Sequence, residues 1–217
     1  MNSGVKVRRW GQGPEVSAVV HEEKQRRILR EAGAVFGEVG YHNATMELIA
    51  SRLGLTKAAL YYYFSDKSQI LLRCFDLGFE VAEVALDAAL SLEAPGLDRM
   101  ALFVQRYVEG IVASLGACAA GIELRSAPPA EMPGVLKKSR AFDSRLRSLV
   151  QQGIEDRSIA PVDPALAVSW IMGATTLLPR WYHPSGRYGA EQVAKAYGDF
   201  ARRMLAAGTV PAPDGPM

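Results

Sequence analysis

The stretch over residues 45–67 constrains the fold more than any other part of the chain. Its first half, MELIASRL, places apolar side chains near one side of a short helix over 46–53. Thr45 precedes this helix and suits an N-cap, because its hydroxyl can accept a free backbone N–H. Gly54 follows it and suits the C-terminal turn, where a positive φ is often required. Thr56 is a second N-cap candidate, and KAALYYYF predicts a second short helix.

Two short helices joined by a tight turn form a helix-turn-helix unit, whose second helix enters the DNA major groove. Lys57 supplies a cation, and two alanines let the helix approach base edges or a thymine methyl closely. Three consecutive tyrosines cannot all face a core, so at least one hydroxyl can reach a phosphate. Leu60 and Phe64 share one face and are expected to anchor the helix. The predicted DNA-binding residues are Thr45, Thr56, Lys57, Ala58, Ala59, Tyr61, Tyr62, Tyr63 and Lys67.

Two other classes of function compete with this interpretation. A helical scaffold without DNA binding would explain the helices, but not the capping, cationic and tyrosine pattern of the unit. An enzyme is disfavoured, because Gly11-x-Gly13 lacks a third glycine and a preceding strand, and the sequence holds no P-loop or nucleophile elbow. The three histidines are scattered without metal-ligand spacing. We therefore expect no catalytic residue, cofactor or metal.

Charge and cysteine content favour a basic DNA-facing end on a protein of the cytoplasm. Residues 1–73 hold 11 Lys and Arg against 7 Asp and Glu, whereas residues 74–217 hold 14 against 16. A basic end on a nearly neutral body suits a DNA partner. The sequence holds no apolar run long enough to span a membrane and no secretory signal pattern. Cys74 and Cys118 lie in apolar helical sequence and are expected to be reduced core thiols; a redox-sensing pair is the alternative.

The flanks of the helix-turn-helix unit carry a family resemblance. ILREAGAVFGEVGYHNAT over 28–45 leads into the unit, and YYYFSDKSQIL over 61–71 leaves it. This pattern is similar to the DNA-binding domain of TetR-type transcriptional regulators, over about residues 25–75. The resemblance implies a homodimeric repressor that binds a palindromic operator and is released by a small effector.

Helical periodicity continues to about residue 207 and predicts an all-α fold of about nine helices. Glycine, proline and the lack of periodicity predict a disordered arm over 1–20 and a flexible tail over 209–217. Between them the resemblance implies a helix-turn-helix domain over 21–66 and a ligand-binding and dimerisation domain over 67–208. Asp163 is an N-cap candidate, with Pro164 at the first helical position. The remaining helices are expected over about 21–39, 66–92, 97–115, part of 116–126, 133–157, 164–178 and 190–207. By resemblance the last two form the dimer face.

The apolar body favours a buried ligand site between the helices predicted over 66–92, 97–115, 133–157 and 164–178. For each candidate taken singly, an ordinary core position is the better explanation. The candidate lining residues are Phe75, Phe79, Phe103, Tyr107, Ile111, Phe142, Leu146, Trp170 and Leu177.

A second resemblance concerns the effector. WYHPSGRYGAEQVA over 181–194, with Gly153-Ile154, is similar to TetR-type repressors of fatty-acid and sterol-ring catabolism, which respond to acyl-CoA thioesters. The chain departs from that group at 176–179, where TLLP replaces an Asn-Trp pair. A CoA ester needs an apolar site for the acyl chain and cations for its phosphates. The candidate cations are Arg125, Arg145, Arg147 and Arg180. The alternative is an efflux regulator that senses lipophilic drugs.

Overall fold

The computed structural model describes residues 14–119, 123, 126 and 129–207. The regular structure of these residues is helical, and one isolated antiparallel bridge pairs Ile159 with Ala206. None of the helices in these ranges combines the length and apolar content that a membrane crossing requires. The all-α prediction is confirmed. The helices are α1 Pro14–Val39, α2 Met46–Leu53, α3 Lys57–Tyr63, α4 Lys67–Leu90, α5 Gly96–Ala113, α6 Leu115–Ala119, α7 Met132–Glu155, α8 Pro164–Thr176 and α9 Ala190–Leu205, with a 3₁₀ turn at Leu178–Arg180.

The first helix is longer than expected. It begins at Pro14 rather than at His21, so residues 14–20 belong to α1 and not to a disordered arm. Proline is well suited to the first helical position, because its missing N–H needs no partner there. The rest of the predicted arm, over 1–13, and the predicted tail over 209–217 lie outside the described residues.

Side-chain caps begin four of the helices. Thr45 accepts the N–H of Leu48 at 3.1 Å, and Thr56 accepts the N–H of Ala59 at 3.2 Å. Asp66 caps α4 and Asp163 caps α8 in the same way. All four caps lie directly before an apolar helical pattern, which is why the starts of these helices could be predicted from the sequence.

The described residues form two hydrophobic cores. The head core joins α1, α2, α3 and the first turns of α4, and Leu60 and Phe64 are buried in it as predicted. The body core joins the later turns of α4 to α5, α7, α8 and α9. Helix α4 contributes Ile70 and Leu71 to the head core and Leu86 to the body core, so a single helix runs through both.

Helix α5 packs closely against its neighbours at two glycines. A Cβ on Gly96 would lie 2.3 Å from the Gly153 backbone, which shows that the start of α5 touches α7 directly. A Cβ on Gly110 would lie 2.4 Å from Val81, where α5 crosses α4. Larger residues at either position would force these helices apart.

Candidate DNA-binding surface and internal cavity

One side of α3 faces solvent and the other faces the head core. Leu60 is fully buried, whereas Tyr62 is 75% exposed, and Lys57, Ala58 and Tyr61 are exposed with it. Ala59 and Tyr63 are half-buried at the edges of this face. The expectation that at least one tyrosine points outward is therefore met. The solvent face combines one cation, two small side chains and phenol groups.

An acidic residue of α2 forms an ion pair with the lysine of this face. The Lys57 ammonium donates a hydrogen bond to Glu47, and it also lies 5.7 Å from the centre of the Tyr61 ring. The hydrogen bond raises the pKa of Lys57 and lowers the pKa of Glu47, so both groups stay charged at neutral pH. Glu47 was not predicted from the sequence, because nothing there shows that it faces the next helix. Any phosphate that binds Lys57 would have to compete with this carboxylate.

The aromatic cluster of α3 leans on α1. The His21 ring lies 4.9 Å from the Tyr63 ring and 6.0 Å from the Tyr62 ring, measured between centroids. Tyr62 and Tyr63 contact each other edge to face. The early turns of α1 therefore hold the two tyrosines in place, although the sequence pattern placed His21 only at the start of a helix.

Lys67 has a different setting from the other predicted DNA-binding residues. Its ammonium donates to the backbone carbonyls of Tyr41, His42 and Ala44 at 2.9, 3.2 and 3.0 Å. It also lies 4.6 Å from the centre of the Tyr41 ring. Three donors meet three acceptors, so Lys67 supports the turn that leads into α2. A direct contact with DNA would require Lys67 to give up one of these bonds.

Thr45 and Thr56 are exposed as well as capping. Each hydroxyl oxygen accepts a backbone N–H, and the Thr45 hydroxyl also hydrogen-bonds the Glu47 carboxylate, which adds to the lowering of its pKa by Lys57. Both threonines lie at the starts of the two helices of the unit. Both side chains fix the helix starts, and Thr56 keeps a hydroxyl proton that can donate to a phosphate.

A cavity of about 310 Å³ lies where α4 passes from the head core to the body core. Cys74 and Phe75 of the head core border it, and so does Ala82 of the body core. Between them, Gly78 and Phe79 form the wall. The other bordering residues are Tyr107, Ile111, Cys118, Ser139, Phe142, Asp143, Leu146, Met172, Thr176 and Pro179.

The structure brings six of the predicted lining residues to this cavity and leaves three away from it. Those that border it are Phe75, Phe79, Tyr107, Ile111, Phe142 and Leu146. Phe103 stacks on Tyr107 with ring centroids 5.6 Å apart and lies behind the wall, fully buried. Trp170 and Leu177 are exposed instead, because α8 turns Ile171 inward and these two residues outward.

The predicted cations differ in what they contact. Arg145 binds Glu83 and Asp87, and Arg147 binds Asp143 at 2.5 Å. Arg180 directly follows the cavity residue Pro179, and it has no ion-pair partner among the described residues. Arg125 lies outside the described residues. Of the predicted cations whose positions are described, Arg180 is the one free to meet an anion beside the cavity.

Both cysteines border the cavity, which the sequence did not indicate. The Cys74 thiol donates to the Leu29 carbonyl at 3.5 Å. Burial raises the pKa of the Cys74 thiol and raises that of Cys118 to about 12, so both are protonated at neutral pH. Reduced thiols with weak polarity suit an apolar wall, and both cysteines are free in the structure.

Helices α8 and α9 leave large apolar side chains in solvent. Leu166 is 73% exposed, and Trp170, Phe200 and Met204 are about half exposed. A Cβ added to Gly173 would touch nothing within 4 Å, so its backbone is open to a neighbouring molecule. Apolar groups clustered on one face of a globular protein mark an interaction surface.

These features define the class of the protein. Two capped helices in tandem, with a cation and phenols on the outer face of the second, form a helix-turn-helix DNA-binding domain joined to a helical body with an internal cavity. The chain belongs to the TetR family of bacterial transcriptional regulators. Residues 28–74 match the family model "Bacterial regulatory proteins, tetR family", and residues 93–205 match "Tetracyclin repressor-like, C-terminal domain". It is a DNA-binding regulator and not an enzyme, as the sequence predicted.

Individual relatives support the same assignment. The chain is 27% identical over 183 residues to the HTH-type transcriptional repressor KstR2 of Mycolicibacterium smegmatis, covering 80% of this chain and 86% of that protein. It is 28% identical to the TetR family regulator PfmR of Thermus thermophilus, with a TM-score of 0.69 over 84% of this chain and 97% of PfmR. AibR in complex with isovaleryl coenzyme A and operator DNA shares the fold, with 22% identity, a TM-score of 0.68, and coverage of 84% and 98%.

Proposed function

We propose that this protein is a homodimeric repressor that binds a palindromic operator and leaves it when a small acyl-CoA thioester enters the cavity. Residues 21–66 would read DNA, and residues 67–208 would bind the effector and the partner subunit. The observation that carries the proposal is the position of the cavity, beside α4 at the point where this helix passes from the head core to the body core.

The DNA-binding part of the proposal rests on the outer face of α3. Lys57, Tyr61 and Tyr62 would contact phosphates, and the small side chains of Ala58 and Ala59 would let the helix approach base edges. Tyr63 would buttress Tyr62 at the edge of this face, and the hydroxyl of Thr56 would donate to phosphate, whereas Thr45 would act by fixing the start of α2. Lys67 would act by holding the turn before α2 rather than by touching DNA.

The dimer part rests on the apolar face of α8 and α9. A helix-turn-helix unit reads few base pairs, and a two-fold dimer reads two half-sites about 34–36 Å apart, or a multiple of that. Leu166, Trp170 and Phe200 give this face apolar side chains, and Gly173 allows close approach. Pairing the same face of two copies would remove this surface from water.

The effector part rests on size and on charge. The cavity lies at the small end of the range for ligand sites, about 300–1,000 Å³, so it suits an acyl group and not a whole CoA molecule. The nucleotide and its phosphates would lie outside, where Arg180 directly follows the cavity residue Pro179. Isovaleryl coenzyme A in the AibR complex supports an effector of this class. A protein of this kind would act in the cytoplasm, where acyl-CoA and DNA are both present.

Coupling between the two parts would run through α4. An acyl group against Gly78 and Phe79 would press on α4 between its head turns and its body turns. A ligand shifts a conformational equilibrium only by its difference in affinity for the two states. We propose that the effector prefers the state in which the two recognition helices no longer match the half-site spacing.

A thermal-shift screen of the purified protein tests the effector class. The ligands are hexanoyl-CoA, other acyl-CoAs, free CoA, the free acids and common lipophilic drugs. At 100 times its Kd a specific ligand adds about 2.7 kcal/mol to the free energy of unfolding. Stabilisation by acyl-CoAs but not by CoA or free acids is the expected result. Stabilisation by drugs alone would replace the acyl-CoA proposal with drug sensing.

A further inference from the structure

The polar groups that border the cavity indicate which functional group its ligand carries. Tyr107 is 7% exposed and borders the cavity, and its hydroxyl has no hydrogen-bond partner among the described residues. Buried hydroxyls are nearly always paired, because an unpaired one loses its hydration without compensation. An unpaired buried donor beside a cavity is the arrangement expected when the ligand supplies the acceptor.

The Tyr107 oxygen still touches open space. Within the described part of the chain, Arg99 Nε is the side-chain polar atom that is both sealed and unpartnered. The Tyr107 oxygen also lacks a hydrogen-bond partner among the described residues, but it is not completely buried. Since Tyr107 borders the cavity, its oxygen faces a space that a ligand can enter. Stacking on Phe103, at 12° between ring planes, fixes the direction of the phenol.

The hydroxyl is a donor rather than an anion. Burial raises the pKa of Tyr107 well above its ordinary value, so the phenol keeps its proton at every physiological pH. A neutral O–H fixed in an apolar wall suits a carbonyl oxygen, which accepts hydrogen bonds and carries no charge.

The cavity also disfavours a carboxylate. No lysine, arginine or histidine is among the described residues that border it, and the charged residue that does border it is Asp143. Asp143 forms an ion pair with Arg147 at 2.5 Å, and this pair already compensates the charge of Arg147. A ligand carboxylate would lose hydration without gaining a cation, and it would approach another carboxylate.

We propose that the cavity selects an uncharged acyl group over a free acid, and that the Tyr107 hydroxyl holds the carbonyl oxygen of the ligand. This inference rests on the proposed function, in which an acyl group enters the cavity. It adds the residue that distinguishes an acyl thioester, ester or ketone from an alkyl group and from a carboxylate.

The test uses the full-length protein as purified, with two pairs of probes. The first pair is hexanoyl-CoA and S-hexyl-CoA, a thioether without the carbonyl. The second pair is 2-octanone and octanoate, which need no CoA recognition. Affinities are measured by calorimetry for the unmodified protein, for Tyr107→Phe and for Tyr188→Phe. Tyr188 is exposed and does not border the cavity, so it is a matched control for loss of a phenol oxygen.

The expected result is a loss of affinity only for the ligands that carry a ketone or thioester carbonyl. Tyr107→Phe should weaken hexanoyl-CoA and 2-octanone roughly three- to tenfold, the size of one neutral hydrogen bond. It should leave S-hexyl-CoA unchanged, and octanoate should bind the unmodified protein more weakly than 2-octanone does. Tyr188→Phe should change none of these affinities. Without ligand, Tyr107→Phe should melt at the same temperature as the unmodified protein or higher.

The outcomes separate the two proposals. Binding of 2-octanone that depends on Tyr107, with no binding of hexanoyl-CoA, would remove the acyl-CoA effector and keep the carbonyl site. Equal carbonyl affinities in Tyr107→Phe, or no binding of either carbonyl probe, would overturn the inference. A large fall in the melting temperature of ligand-free Tyr107→Phe would also overturn it, because it would show that the hydroxyl already has a structural partner.

Discussion

The head and the body of this protein are built from the same kind of helix but specified in different ways. In the head, capping residues with fixed roles mark the helix ends: Thr45, Gly54, Thr56 and Asp66. In the body, long apolar helices pack through interchangeable side chains around a cavity. The comparison teaches that a surface that must match DNA is fixed residue by residue, whereas a ligand-binding core is fixed mainly by volume.

The largest expected effects come from truncating a buried leucine in one core at a time. Leu60→Ala in the head and Leu149→Ala in the body each truncate a fully buried leucine, and each should cost about 2–5 kcal/mol in the free energy of unfolding. At temperatures where both variants remain folded, Leu60→Ala should also weaken DNA binding, because α3 loses its anchor. Urea titration and DNA anisotropy measure the two effects. Equal loss of DNA affinity in both variants would show that head and body are not separable in this way.

The next effect compares two helix caps. Asp66→Ala and Asp163→Ala should each cost about 0.5–2 kcal/mol, because each frees backbone N–H groups at a helix start. Only Asp66→Ala should lower DNA affinity, since α4 also carries Lys67, which holds the turn before α2. Calorimetric melts and anisotropy check both. A loss of DNA affinity in Asp163→Ala of the same size would contradict the assignment.

The Asp66 cap also has a pH signature. Hydrogen bonding from the Gln69 N–H holds the pKa of Asp66 below its ordinary value. A lowered folded-state pKa gives stability that is complete above the ordinary value of about 3.9 and is lost as the pH falls through the lowered pKa. The stability difference between the unmodified protein and Asp66→Ala should therefore be constant near neutrality and shrink in acid. A stability difference that grows as the pH falls would contradict this role for Asp66.

A smaller effect concerns the wall of the cavity. Gly78→Ala adds a methyl that meets nothing within 4 Å and replaces a glycine in the middle of α4. It should stabilise the protein by about 0.5–1 kcal/mol, because alanine favours the helix. A melt measures this change. Destabilisation would show that the space beside Gly78 is not open.

The smallest effect on folding, and the most informative for DNA binding, concerns Lys57 and Glu47. Both are exposed, so Lys57→Ala and Glu47→Gln should leave the melting temperature almost unchanged. Lys57→Ala should weaken DNA binding and lower the slope of log affinity against log salt by about 1.8, which is about 0.9 for each subunit of the proposed dimer. Glu47→Gln should strengthen DNA binding, because the lysine no longer has a competing carboxylate. Unchanged affinity in both variants would show that another face of the head meets DNA.

Most of the head could be predicted from the sequence, because capping residues and burial patterns are local. Leu60, Phe64 and the caps at Thr45 and Thr56 follow from their neighbours in the chain. The Glu47–Lys57 pair and the three carbonyls around Lys67 could not be predicted, since they depend on how helices cross. In the body, Tyr107 and Phe142 were found by apolar periodicity, whereas Trp170 was expected inside and lies outside. Apolar periodicity shows that a helix has a buried side, but α8 is apolar on both sides, and so its orientation was undetermined.

The central claim is that a ligand bound beside α4, between the head core and the body core, lowers the affinity of the protein for DNA. The most direct measurement is the anisotropy of a palindromic duplex selected from random sequences with this protein, titrated with hexanoyl-CoA. The same titration with Gly78→Leu is the matched control, because a Cβ at Gly78 meets nothing within 4 Å and the larger side chain would occupy the cavity that Gly78 borders. The account predicts that hexanoyl-CoA releases the unmodified protein from DNA and leaves Gly78→Leu bound. Equal release of both proteins, or tighter DNA binding with ligand, would contradict it.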